Sequence, residues 1–309
     1  MIKKVILCLI AVGLLCTPLA NAYTEEILYS APDDLTSALE PEFIIEPDAD
    51  ASLLITPAPV DNKLTMYIDG VQFGISPYLR DGVTYVPLRD FCTAIDAGTE
   101  VSWNGDTQTV KVATPPLTFT LNIAEPYIIA NGRYLYIPGG ARLYEGKVYV
   151  PVRILAKAFG AEVTWNKEFN IINVVSSGTQ IVSGDEFYDE DSLYWLSRII
   201  SAEARGESLE GQIAVGNVVL NRVAYKGYPD TIYGVIFDRV GGVQFTPVAN
   251  GTVYDEPTKS SVIAAKLVLD GANTAANSLF FLNQAIAASK WILRTRTFVS
   301  SIGNHDFYA

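Results

Sequence analysis

An α+β architecture is predicted by this sequence: a small, duplicated, mainly antiparallel module followed by a mostly helical domain. Three observations predict it. One strand-rich motif occurs twice between residues 66 and 175. From residue 191 the apolar spacing changes from alternation to a helical period. Finally, 309 residues with 49% hydrophobic content can fill two cores.

The opening stretch, residues 1–22, reads as a secretory signal. Lys3 and Lys4 form its basic end, Val5 to Leu15 its apolar run, and Ala20-Asn21-Ala22 a small-residue cleavage site. The run is short for a bilayer span, so no membrane span is expected in the mature chain. Residues 23–60 carry nine acidic side chains, no Lys or Arg, and five prolines. One charge sign broken by proline opposes a packed core, so an acidic linker is expected there.

Residues 61–176 hold the repeat. Gly82-Val83-Thr84-Tyr85-Val86-Pro87-Leu88-Arg89 precedes Val101-Ser102-Trp103-Asn104, and Gly146-Lys147-Val148-Tyr149-Val150-Pro151-Val152-Arg153 precedes Val163-Thr164-Trp165-Asn166. The tyrosines lie 64 apart and the tryptophans 62. In each copy a strand meets a proline that permits a helix start. A short helix follows (Leu88 to Ala94; Ile154 to Phe159), then a Val-x-Trp strand and a Val/Ile strand. Gly70, Gly105 and Asn131-Gly132 are placed for hairpin turns. Alternation around Trp103 and Trp165 marks them as core or hairpin packing residues rather than sugar platforms.

Residues 177–190 are small and polar, a second linker, and Asp191 or Ser192 is positioned to cap the helix that follows. Along that helix Leu193, Leu196 and Ile200 recur at helical spacing, and Glu203 falls on the same face. A carboxylate at the end of a buried stripe is expected to line a cleft, because Glu is rarely fully buried alone. Burial there would raise its pKa, which suits a general acid. Gly206 offers a left-handed stop. Leu209 to Ala224 is apolar nearly all round and reads as a central buried helix. Asp230 is expected to cap a short segment through Phe237, Val240 to Tyr254 to form loops or a hairpin, Pro257 or Thr258 to start another helix ending at Asp270-Gly271, and Leu279 to Asn283 to be a strand.

Charge and residue counts narrow the chemistry. The net charge is −12, and loss of Lys3 and Lys4 takes it to −14, which opposes nucleic-acid binding. Cys8 and Cys16 leave with the signal, so Cys92 has no intramolecular disulfide partner. The one histidine, His305, cannot supply the imidazoles usual at catalytic zinc, and no GxSxG elbow occurs. No cofactor or metal is expected.

Ser201–Glu207 (SAEARGE) and Glu210–Arg222 (EGQIAVGNVVLNR) closely resemble the cell wall hydrolase family typified by the spore cortex-lytic enzymes SleB and CwlJ. Further matches are Gln244-Phe245-Thr246-Pro247 with Asn250-Gly251, Phe281-Leu282-Asn283 and Gly303 to Tyr308. The resemblance covers about 115 residues within 191–309. It implies a lysozyme-like fold, a peptidoglycan partner, and glycan cleavage as a lytic transglycosylase with Glu203 as the acid. The location implied is the cell wall or spore cortex of a bacterium. The repeat similarly resembles the domain named after the N-terminal region of copper amine oxidases. No copper or oxidase chemistry is inferred, because copper amine oxidases hold their metal through three histidines in a different domain and this chain has one histidine. By its position the module would be a wall-anchoring or positioning domain.

Gln244, Asn250, Asn283 and Asn304 offer uncharged hydrogen-bonding groups for sugars, and Tyr254, Trp291 and Tyr308 offer ring faces. Each also has a plain structural reading, as has His305. Glu203 could instead pair with Arg205 or Arg222. Glu207 is a rival acid, read as solvated or as a helix cap, and Asp255, Glu256 and Asp306 are conceivable second carboxylates read as exposed. Hydrolytic rather than transglycosylase cleavage, and a silent wall-binding protein, are the alternative functions.

Overall fold

The computed structural model describes residues 64–309 other than 180, 284 and 286–290. The expected signal (1–22) and acidic linker (23–60) lie outside the described residues.

The first half is built from hairpins. In chain order it runs β1 (Thr65–Ile68), β2 (Val71–Gln72), β3 (Tyr78–Arg80), β4 (Val83–Pro87), α1 (Leu88–Ile95), β5 (Glu100–Asn104), β6 (Thr109–Thr114) and β7 (Leu117–Asn122). It continues β8 (Tyr127–Ala130), β9 (Arg133–Tyr136), β10 (Arg142–Tyr144), β11 (Lys147–Pro151), α2 (Val152–Ala158), β12 (Glu162–Asn166) and β13 (Ile171–Val175). The runs β4–α1–β5–β6 and β11–α2–β12–β13 follow one order. Three sheets result, β12-β13-β1-β2, β10-β11-β4-β3 and β5-β6-β7-β8-β9. All pairings are antiparallel except β1 with β13. β4 and β11 meet with Val86 opposite Val150. Asp69-Gly70, Asp81-Gly82, Asn131-Gly132 and Glu145-Gly146 each take two successive positive φ values, as tight hairpin turns between right-twisted strands require. Gly105 does not.

The core of this half holds Phe91 and Cys92 of α1, Leu155 and Ala156 of α2, and the alternate residues of β6 and β7. Cys92 is free and buried, and burial pushes its thiol well up, so it packs as a small hydrophobe. Trp103 and Trp165 meet the expectation of hairpin packing, opposite Val110 and Ile172, but not that of core burial. They are 45% and 52% exposed and belong to no core. Alternation groups residues on a face: Val101 and Val163 on this face pack against the core, while the two indoles farther along β5 and β12 stay about half open.

The second half begins with α3 (Gly184–Phe187) and α4 (Glu190–Ala204), followed by α5 (Leu209–Ala224), α6 (Ile232–Ile236) and α7 (Thr246–Asn250). Then come α8 (Lys259–Leu269), β14 (Phe280–Leu282), α9 (Trp291–Thr295), β15 (Phe298–Ile302) and β16 (His305–Tyr308). The last three strands form a sheet ordered β14-β16-β15. Asp189, two and three residues ahead of the expected caps Asp191 and Ser192, accepts the Ser192 N–H and starts α4, and Glu190 and Asp191 complement its N-terminal dipole. Thr231, not Asp230, caps α6, and Thr258 caps α8. Where loops or a hairpin were expected, Phe245-Thr246-Pro247 starts α7, with Pro in the first turn where no N–H is needed.

Helix α5 is the buried centre, as its composition demands. Among its buried polar side chains Asn217 is satisfied internally: its Nδ2 donates to Ala272 O at 2.7 Å, and its Oδ1 accepts from Thr274 N at 2.9 Å. Leu196, Ile199 and Ile200 of α4 pack against it, each fully buried apolar side chain contributing roughly 1.5–3 kcal/mol relative to exposure.

The halves meet at a buried charge. The Asp270 side chain, 1% exposed, accepts from Arg133 Nε and Nη2 of β9 at 3.0 and 2.7 Å, and from the Tyr188 hydroxyl at 3.0 Å. Lys157 of α2 lies 2.8 Å from the same carboxylate and donates to the Asp270 carbonyl at 2.7 Å. Residues 177–190, expected to be a linker, supply Tyr188 to this cluster and the buried Ile181 to the first core. No helix among the described residues is long and apolar enough to cross a membrane.

Candidate active site

The stripe of α4 that buries Leu196, Ile199 and Ile200 also carries Glu203, which lines a cavity of about 1100 Å³. That is near the upper end of the volumes that hold small ligands. Among the described residues no cation sits within ion-pair distance of Glu203, so neither Arg205 nor Arg222 pairs with it. Burial without a compensating charge pushes its carboxyl up to about 7. At neutral pH it is divided between acid and carboxylate, the state from which a proton can be given and recovered.

Of the other residues singled out from the sequence, the cavity gathers Gln244, Asn283, Trp291 and His305. Gln244 Nε2 donates to the Val240 and Gly242 carbonyls at 2.8 and 3.2 Å and shapes the loop ahead of α7. Asn283 Oδ1 accepts from Ala285 N at 3.0 Å. Trp291 is 49% exposed, with its ring edge-on to Phe280. His305 is buried edge-on to Phe281, and burial lowers its pKa, which leaves the ring neutral at pH 7.

Four expected contacts lie outside the cavity lining. Asn250 closes its own turn, accepting from Thr252 N and Oγ1 at 3.0 and 2.8 Å. Tyr254 joins an aromatic cluster with Trp195 and Phe237. Tyr308 is buried in β16 against Phe298. Asn304 serves Glu207, through its backbone N–H at 3.1 Å and its Nδ2 at 2.9 Å.

Glu207 is therefore neither solvated nor the cap of α5, which is Ser208. Its carboxylate is held below the usual range, chiefly by the Asn304 amide. Oε1 lies 4.0 Å from His305 Nδ1. A side chain at Gly303, whose φ is +58°, would collide with the Glu207 carboxylate, so only glycine fits that turn. Gly206 takes no left-handed conformation, and α4 ends through Arg205 in helical geometry instead. Asp255 and Glu256 are exposed, the latter paired with Arg198 at 3.1 Å, while Asp306 is half-buried and accepts from Ser301 Oγ.

The cavity also contains groups not singled out from the sequence. Arg222, Lys226 and Arg296 line it, as does Asp238. Arg222 is buried at the end of α5, donates Nε to Leu279 O at 2.8 Å, and lies 5.1–5.5 Å from the Phe245, Tyr228 and Phe280 ring centroids. A charged residue near the end of a mostly apolar helix was the available signal. No group of metal-ligating side chains occurs among the described residues.

Comparison with known proteins places these elements in context. The Cell Wall Hydrolase family pattern matches residues 206–308, and the Copper amine oxidase N-terminal domain pattern matches residues 67–174. Glu203 lies just ahead of the first match. A spore cortex-lytic enzyme of Oceanobacillus iheyensis is 36% identical over 132 residues, 43% of this chain and 46% of that protein. The chain thus spans about half the length of the curated relatives it matches. The cell wall hydrolase CwlJ of the same organism is 30% identical over 129 residues, 40% of this chain and 89% of that protein. The solved catalytic domain of the germination-specific lytic transglycosylase SleB from Bacillus anthracis is 35% identical, covering 40% of this chain and 97% of that one, with a TM-score of 0.37.

Proposed function

The chain belongs to the cell wall hydrolase family, and from that premise we propose that it cuts the glycan strand of peptidoglycan between N-acetylmuramic acid and N-acetylglucosamine as a lytic transglycosylase. One observation supports this above the rest: Glu203 lines a large cavity without a counter-charge, and its pKa is pushed up to about 7. Protonated Glu203 gives its proton to the glycosidic oxygen as the bond to muramic C1 breaks and positive charge builds on the ring. The substrate's N-acetyl carbonyl assists on the opposite face. The carboxylate left behind then takes the C6 hydroxyl proton, and that oxygen bonds to C1, closing a 1,6-anhydro ring. One protein carboxyl suffices.

Gln244, Asn283, Trp291 and His305 are the proposed sugar contacts. Asn250, Tyr254, Asn304 and Tyr308 are better read as supports of the surrounding loops and sheet. Arg222, Lys226 and Arg296 give the cavity a cationic side that suits the carboxylates of peptide-substituted glycan. In this reading residues 1–22 direct secretion, 61–176 form a duplicated wall-anchoring module, and 191–309 form a lysozyme-like catalytic domain. The chain acts at the cell wall or spore cortex.

Asp238 in the same cavity favours a second reading, hydrolysis, in which it acts as base or nucleophile. Muropeptides released from purified cortex and from vegetative sacculi separate the two by mass. Anhydromuramic ends are expected, and Asp238→Asn should keep most activity. Reducing muramic ends, together with an inactive Asp238→Asn, would establish hydrolysis instead.

A further inference from the structure

The two exposed tryptophans of the first half each stand in a groove, and the grooves are built alike. Trp103 on β5 faces Val110 of β6 across its hairpin, and Trp165 on β12 faces Ile172 of β13. One groove, of about 450 Å³, sets Trp103 and Val101 against the first turn of α1, with Leu88 and Arg89, and is closed by the β10–β11 turn at Lys147. The other, of about 260 Å³, sets Trp165 and Val163 against the first turn of α2, with Val152 and Arg153, and is closed by the β3–β4 turn at Thr84. Each wall is thus supplied by the hairpin of the other copy, on either side of the Val86–Val150 pairing.

The chemistry of the grooves is specific. Each indole stands about half exposed at the mouth of its groove with an arginine beside it, so one site offers both a ring face and a cation. Asp90 in the first groove lies 3.4 Å from Lys147, leaving Arg89 over. The second groove has Arg153 and no acidic residue in its lining. Among the described residues neither guanidinium is in an ion pair. Both grooves are therefore locally positive on a chain of net charge −12. Two equal sites fixed on one module match a ligand that repeats along its length, since each engagement raises the effective concentration for the other.

The geometry points to a pair of equivalent glycan-binding grooves, in which Trp103 and Trp165 pack against pyranose faces while Arg89 and Arg153 take carboxylates of the same anionic strand. Naming that strand as peptidoglycan rests on the function proposed above. The site itself lies apart from the Glu203 cavity.

The test uses the full chain carrying Glu203→Gln, sedimented with purified sacculi, with and without Trp103→Ala and Trp165→Ala. Each single change should weaken binding about 5- to 10-fold and the pair at least 50-fold. With Glu203 intact, the paired change should leave cleavage of short soluble glycan fragments within twofold. The Trp103→Tyr, Trp165→Tyr pair keeps ring faces and should keep binding, which guards against misfolding. Arg89→Glu with Arg153→Glu should weaken it. Unchanged sacculus binding by the paired alanine chain overturns the proposal, whether or not the parent cuts glycan. Tryptophan-dependent binding of a DNA oligonucleotide with sacculus binding unaffected also overturns it. If the parent cuts nothing yet sediments through its tryptophans, the grooves stand and the proposed activity falls.

Discussion

Two carboxyls four residues apart, Glu203 and Glu207, mark two regions with opposite electrostatics. Around Glu203 an apolar helix face removes water and supplies no donor, so its pKa rises to about 7. Around Glu207 the returning Gly303-Asn304 turn supplies two N–H groups, and the pKa falls. Burial is the one cause of the upward shift at Glu203, whereas at Glu207 the Asn304 amide outweighs it. Whether a donor arrives to satisfy the ionised form decides which can serve as a proton donor and which as an anchor.

The largest expected effect tests that division directly. Glu203→Gln should lower muropeptide release about 10²- to 10⁴-fold, the usual contribution of a general acid. Near-normal release would transfer the role elsewhere. Glu207→Gln should act through position instead. Loss of charge-assisted bonds to Asn304 costs roughly 1.5–3 kcal/mol, read as a lower Tm at pH 7. Loosening of the turn that carries His305 should reduce kcat about 10-fold, within the range that small misplacements cause. A larger loss than with Glu203→Gln would reverse the assignment.

Smaller effects follow from titration. The acid form of Glu203 is depleted as pH rises through about 7, so kcat should decline there, and a profile flat to pH 9 would count against it as the acid. Stability carries the same sign. A raised carboxyl favours the fold below the ordinary Glu value of about 4.3 and loses that contribution as pH rises through about 7. Glu203→Gln should therefore gain Tm relative to the parent between pH 4.5 and pH 8. Glu207 has the opposite slope. Its depressed pKa stabilises the fold above the ordinary carboxyl range, so the Tm deficit of Glu207→Gln should shrink as pH falls below about 4.

What could be read in the sequence was local. Leu193, Leu196, Ile200 and Glu203 lie within three turns, so periodicity alone placed the carboxyl on the inward face, and α5 matched its expected span. Cap positions slipped by one to three residues because Asp189, Asp191 and Ser192 are all capping types, and only backbone geometry chooses among them. The Glu207–Asn304 contact joins residues 97 apart, and no short-range pattern encodes it. Arg222 with Lys226, Asp238, and Arg296 reach the cavity from three separate stretches of chain. Trp103 and Trp165 lie opposite apolar partners across their hairpins as alternation predicts, yet stay half exposed, because a period of two states which residues share a face and not whether that face is covered.

The Asp270 cluster has a consequence for ancestry. Its carboxylate belongs to the helical half and both its cations to the strand-rich half, so each half carries a charge that makes sense only beside the other. Exchanging either piece for a homologue without the matching groups would strand an ion in a dry joint, a loss of several kcal/mol. Selection should then act on Arg133, Lys157 and Asp270 together, and the three should change in concert or not at all as lineages diverge.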